Sequence, residues 1–164
     1  MTFQTVAIKH DDKPELYREL AIQLRALLDG EDDPIANAAN TSALIFQMVP
    51  FVNWAGFYFL RSEQELIVGP FQGKPACVRI AVGHGVCGTA VQARRSILVE
   101  DVHAFPGHIA CDEASRSELV VPLIRGGKVL GVLDLDSPVV GRFDAEDQCG
   151  FEALAAIYVA ASHL

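Results

Sequence analysis

Four cysteines, Cys77, Cys87, Cys111 and Cys149, and a set of scattered carboxylates are the residues of this 164-residue chain that could do chemistry. Cys111 stands in "HIACDEASRSELVVP", where small polar and acidic residues run directly into an apolar stretch that reads as a buried strand. A polar loop offers the access that a reactive thiol needs. Its acidic neighbours oppose a thiolate, so His108 or a cluster of backbone amides would have to offset them. The thiol could be a small apolar filler, a metal ligand or a nucleophile. Metal binding has the weakest signature, because no CxxC pair and no HxxxH accompany the cysteines. His84, His103 and His108 leave an irregular zinc site open. Cys149 falls in an apolar helical segment and is expected to pack in the core.

The carboxylates gain meaning from the strand period. In "VLDLD", Leu133 and Leu135 face one way while Val132, Asp134 and Asp136 face the other. If the leucines meet helices, both aspartates enter the opposite cavity, and Glu118 stands at the mouth of the strand leaving the cysteine loop. Three converging carboxylates would repel one another, and burial would raise at least one pKa. Such a group could bind an ammonium ion or keep one acid protonated as a donor. The alternative is a set of solvated strand-end and turn residues. In "WAGFYFL", Trp54 and Tyr58 share a face, either as an aromatic wall of a pocket or as ordinary core.

The elements that must position these groups are legible along the chain. "KPELYRELAIQLRALLDG" has leucines at helical spacing and a Gly stop, and Asp33-Pro34 opens a second helix that Pro50 ends. Strands follow at "WAGFYFL", on either side of the Gly/Pro turn in "ELIVGPFQGKPACVRIAV", and at "ILVEDV"; "GHGVCGTAVQARRS" gives a short glycine-led helix. Residues 101–117 have no period and form a loop long enough to suggest a lid or binding loop. "ELVVPLI", "RGGK" and "VLGVLDLDS" read as a hairpin, and Asp144 opens a closing helix. The order predicts one α+β domain over residues 1–164. Its largely antiparallel sheet has helices packed on one face and a ligand pocket under loops on the other.

Bulk properties narrow the function. A net charge of −8 and a pI near 5.0 exclude a phosphate-binding nucleic-acid surface. No apolar run is long enough to span a membrane, and "MTFQTVAIKHDDKPE" lacks a signal peptide's pattern, so a cytoplasmic protein is expected. In a reducing compartment the cysteines are not a structural disulfide framework.

The motifs "GPFQGKPACVRI", "GHGVCGTAV", "FPGHIACDEASRSELVVPL", "GVLDLDSP" and "FDAED" resemble those of the free methionine-(R)-sulfoxide reductases, enzymes built on a GAF domain. The resemblance covers residues 13–163, and no named position departs from it. It implies that Cys111 attacks the sulfoxide sulfur and becomes a sulfenic acid. Glu118, Asp134 and Asp136 match the active-site acids, with Glu118 and Asp136 in catalytic roles and all three against the substrate. Cys77 is the implied resolving cysteine, and Cys87 binds substrate or serves as an alternative resolver. Trp54 and Tyr58 would surround the substrate methyl group. No bound cofactor or metal is implied; thioredoxin, coupled to NADPH, or a similar dithiol donor is the external reductant, and a homodimer is expected. Peptide-bound methionine sulfoxide lacks the ammonium charge an acidic enclosed pocket would recognise, so the free amino acid is the expected substrate. Two other readings are a non-enzymatic GAF sensor of small molecules and a cysteine redox switch without turnover.

Overall fold

Each helix begins where its chemistry allows. In the computed structural model, which describes Val6, residues 12–109 and residues 112–164, helix α1 spans Lys13–Leu27 with Pro14 in its first turn. Cys111 and most of the N-terminal stretch read above for targeting lie outside the described residues. Helix α2 spans Pro34–Met48, and the Asp33 carboxylate accepts hydrogen bonds from the Ile35 and Ala36 amides. Helix α4, Ala145–Ala161, opens with a reciprocal capping box between Asp144 and Asp147.

Between the helices the chain lays down β1 (Trp54–Ser62), β2 (Glu65–Gly73), β3 (Arg79–Ala81), helix α3 (Gly85–Ala93), β4 (Ile97–Val99), β5 (Ser117–Arg125) and β6 (Lys128–Ser137). The strands form a sheet in the order β3-β2-β1-β6-β5-β4, every pair antiparallel. The β5–β6 hairpin closes through Gly126 and Gly127, both with positive φ (55° and 76°), as its two-residue turn requires. The region expected to be loop from 101 contains one short 3₁₀ turn, Val102–Ala104, capped by Asp101.

Strand alternation separates two cores. Ala55, Phe57, Phe59, Leu119, Leu133 and Leu135 pack against α1, α2 and α4. Trp54, Tyr58, Val120 and Val132 point to the opposite face, where they meet Val86, Cys87, Ala90 and Val91 of α3. Three helices thus cover one face as expected, while the short α3 joins the loops on the pocket side.

Cys149 corrects the expectation that it packs. It is an exposed free thiol. Helix α4 buries Asp147, Gly150, Phe151, Leu154 and Tyr158, and at about 100° per residue Cys149 falls off that stripe. Ala153 and Ala156 are exposed beside it. The outer face of α4 is nearly as apolar as its inner one, so composition gave no signal of which way the thiol points.

Candidate active site

The three central strands bring the polar groups to one level. In register, Trp54 lies beside Asp136 across β1–β6, and Asp136 lies beside Glu118 across β6–β5. Two residues along, Asp134 pairs with Gly56 on one side and Val120 on the other. These side chains line one cavity together with Tyr58, Cys87 and His108. Cys87 reaches it because α3 lies very close to the sheet: a Cβ on Gly88 would fall 2.2 Å from the Ala81 carbonyl oxygen.

The electrostatics are unusual for so small a space. Glu118 and Asp134 are each 6 % exposed. Desolvation, followed by repulsion from Asp136, pushes the Glu118 carboxyl well above its ordinary range. Desolvation and then the Glu118 charge do the same to Asp134, and desolvation and then Asp134 do so to Asp136. Glu118 and Asp134 interact directly through their side chains, an arrangement that favours a proton on one of them. The Cys87 thiol also bonds to Asp134, and its pKa is raised, chiefly by burial. Asp134 Oδ1 nevertheless has no hydrogen-bond partner. His108 Nε2 lies 3.3 Å from Glu118 Oε2. Burial lowers the imidazole's pKa while Glu118's is raised, and both shifts disfavour a charged pair at this contact.

The aromatic wall is tied to the segment that carries Cys77. Trp54 stacks between Tyr58 and Phe71, at centroid distances of 5.8 and 5.1 Å. Its indole N–H donates to the Lys74 carbonyl at 3.1 Å, and the Tyr58 hydroxyl donates to the Cys77 carbonyl at 3.1 Å. Cys77 is disulfide-bonded, whereas Cys87 and Cys149 are free thiols.

The structure therefore gathers Trp54, Tyr58, Cys87, Glu118, Asp134 and Asp136 around one cavity and ties the Cys77 backbone to its aromatic wall through Tyr58. Cys111 is not among the described residues; its neighbour Asp112 is. The Asp112 carboxylate takes hydrogen bonds from the Ala114 amide (2.9 Å), Lys74 Nζ (3.2 Å) and Asn53 Nδ2 (3.3 Å). The Ala114 amide, ahead of Lys74, holds its pKa below the usual range. Ser115 bonds to Asp136. Sequence reasoning did not single out Asn53, Asp112 or Ser115, and weighed His108 only as a charge offset or zinc ligand. The polar residues that follow Cys111 in "CDEAS" were the available signal. Cys87, Glu118 and Asp134 also offer ligand atoms that all lie within 4.8 Å of one another, a spacing a metal ion could use.

Residues 42–161 match the family model for the GAF domain. The free methionine-R-sulfoxide reductase of Escherichia coli is 52% identical over 145 residues, covering 88% of this chain and 87% of its own. The chain belongs to the free methionine-R-sulfoxide reductases. The Neisseria meningitidis free methionine-R-sulfoxide reductase, solved in complex with its substrate, superposes with a TM-score of 0.92 at 41% identity, over 96% of this chain and 94% of its own. A Burkholderia vietnamiensis protein, solved as a candidate GAF sensor, is 60% identical with a TM-score of 0.88, over 92% of this chain and 96% of its own. Among the described residues, no helix of this GAF domain is long and apolar enough to cross a membrane.

Proposed function

We propose that this protein reduces free L-methionine-(R)-sulfoxide to L-methionine. The observation that carries the reading is the enclosed acidic cavity, in which a buried Asp134 oxygen has no partner beside two aromatic rings. An amino acid entering it would supply what is missing. Its ammonium group can donate to the unpartnered oxygen, and its methyl sulfoxide end can lie against Trp54 and Tyr58. The E. coli and N. meningitidis relatives, named for this reaction, support the assignment.

Cys111 is the nucleophile in this scheme. One oxygen atom passes from the substrate sulfur to the Cys111 sulfur, so thiol and sulfoxide become sulfenic acid and methionine. The oxygen needs a proton as its bond to the substrate breaks, and the raised pKa values of Glu118 and Asp136 suit them to hold one. Cys77 then condenses with the sulfenic acid, forming a disulfide and releasing water. The disulfide at Cys77, with Cys87 a free thiol, supports Cys77 as the resolving residue. Thioredoxin or a similar dithiol returns both thiols by exchange, and we place the enzyme in the cytoplasm as a homodimer that needs no bound cofactor.

The test is thioredoxin-coupled NADPH oxidation with each epimer of methionine sulfoxide, free and in a peptide. Turnover is expected with the free R epimer alone. Cys111→Ser should fall to the no-enzyme rate, and Cys77→Ser should complete one turnover and stall. Absence of turnover with reduced protein and active thioredoxin would overturn the assignment. The Burkholderia relative favours a second reading, a small-molecule sensor. A sensor would keep its ligand affinity in Cys111→Ser and consume no reductant.

A further inference from the structure

The reaction above leaves Cys87 without a fixed task, although it is fully enclosed and free. Its sulfur and one oxygen each from Glu118 and Asp134 lie within 4.8 Å of one another. His108 extends the set, its Nε2 3.3 Å from Glu118 Oε2. The four donors come from α3, the loop before β5, β5 and β6, so the fold itself assembles them. Asp134 Oδ1, buried and unpartnered, marks the place as short of a cation or donor.

We propose that Cys87, His108, Glu118 and Asp134 form a binding site for Zn²⁺, which occupies the cavity in place of substrate and inhibits the enzyme. The donor chemistry selects the metal. One sulfur, one imidazole nitrogen and two carboxylate oxygens suit a four-coordinate zinc or cobalt ion. Calcium and magnesium require oxygen-rich shells of higher coordination and are disfavoured by the sulfur. Donors bonded to one zinc ion stand about 3.5 Å apart, given bond lengths of about 2.0–2.3 Å. The His108–Glu118 spacing of 3.3 Å is already close to that, and Cys87, Glu118 and Asp134 lie within 4.8 Å of one another, so completing the set requires the His108 ring to turn toward Cys87 and Asp134. On binding, the Cys87 thiol releases its proton to solvent, as does whichever carboxyl is protonated, and no electron is transferred. The inhibitory half rests on the reductase reading, because the same groups line the proposed substrate cavity; the binding half does not.

The test is a Co²⁺ titration of the reduced full-length protein, followed by absorption. We expect a thiolate-to-cobalt charge-transfer band and the strong visible bands of a four-coordinate ion, both removed by Zn²⁺. Cys87→Ser should lose the charge-transfer band. His108→Ala should keep it and weaken binding about tenfold or more. As a check on wild-type protein, free methionine should suppress the band by competing for the cavity. In the turnover assay, Zn²⁺ should raise KM for the sulfoxide and leave kcat unchanged, with recovery on adding a chelator. A cobalt spectrum without sulfur bands, one unchanged in Cys87→Ser, or one indifferent to methionine would overturn the proposal. If metal-free protein shows no turnover with any epimer, the reductase reading fails, while the cobalt spectrum still decides the site.

Discussion

Two buried aspartates on opposite sides of the sheet show how one residue type serves structure in one place and binding in another. Asp147, in the first turn of α4, is fully buried. Its carboxylate is surrounded by donors: Tyr17 Oη at 2.7 Å, Lys13 Nζ at 2.6 Å, Arg142 at 3.0 Å and the Asp144 amide at 2.9 Å. Asp134, in the middle of β6, is almost as deep, but its neighbours are other acids and a thiol. One of its oxygens has no partner. Burial of a charge is tolerable when it is paired and costly when it is not. Asp147 therefore locks three elements together, whereas Asp134 holds unfavourable energy that a ligand can release.

The largest expected effect breaks the satisfied member. Asp147→Asn leaves Lys13 and Arg142 facing a neutral amide and weakens the α4 cap, and should lower stability by about 3–5 kcal/mol. Urea unfolding measures it, and activity per folded molecule should be unchanged. A loss below about 1 kcal/mol would show that the network is not structural.

Asp134→Asn should act in the opposite direction. The Asp134 carboxyl's pKa is raised well above 3.8 in the fold. The native state therefore holds a proton that the unfolded chain has already released. That stabilising contribution is complete below about pH 3.8 and is lost as pH rises through the native value. An amide of the same shape does not titrate. The variant should match wild type near pH 3.8 and exceed it by about 1–3 kcal/mol at neutral pH, since each tenfold displacement of the proton equilibrium is worth about 1.4 kcal/mol. Its kcat/KM for the free sulfoxide should fall by about 100-fold, the scale of losing one charged hydrogen bond to substrate. A variant less stable than wild type at neutral pH would contradict the strained reading of this site.

The contrast explains what could be read from sequence. Alternation in "VLDLD" located Asp134 and Asp136 on the face away from the leucines, because the side-chain period of a strand is rigidly two. Turn chemistry at Gly126-Gly127 and the Asp33 and Asp144 caps are local signals, and the elements they bound lie where expected. What stayed hidden depends on distant neighbours. Nothing local says that Lys13 and Arg142 reach Asp147, that Asn53 holds Asp112, or that the imidazole of His108 meets Glu118. Cys149 was misread for a related reason: a helix apolar on most of its surface gives no phase, and the phase is set by which residues α1 covers.

Tyr58→Phe makes a smaller, more specific cut on the pocket side. It keeps the ring stacked on Trp54 and removes only the hydrogen bond to the Cys77 carbonyl. Stability should fall by about 0.5–1.5 kcal/mol. The informative comparison is between single and multiple turnovers. Oxygen transfer in the first turnover should keep its rate, while steady-state turnover slows because the Cys77 segment is less well held. Equal slowing of both would assign Tyr58 to the substrate and not to the resolving step.

Cys149→Ser should do least. Its thiol is exposed, beside Pro14, Arg18 and Ala21 of α1 at the rim of a shallow groove. Replacing sulfur with oxygen there buries no new polar group, so stability should change by less than about 0.5 kcal/mol. Reductant consumption per turnover should also be unchanged, because this thiol lies on the helix-covered side of the sheet, away from the cavity. Cys87→Ser is the matched control, one sulfur for one oxygen on the other face. There the hydroxyl is fully enclosed beside Asp134, and both unfolding and sulfoxide binding should respond. Equal effects from the two substitutions would mean that neither enclosure nor position beside the acids matters to what a cysteine does in this fold; a large difference confined to Cys87 ties the thiol's role to the pocket face.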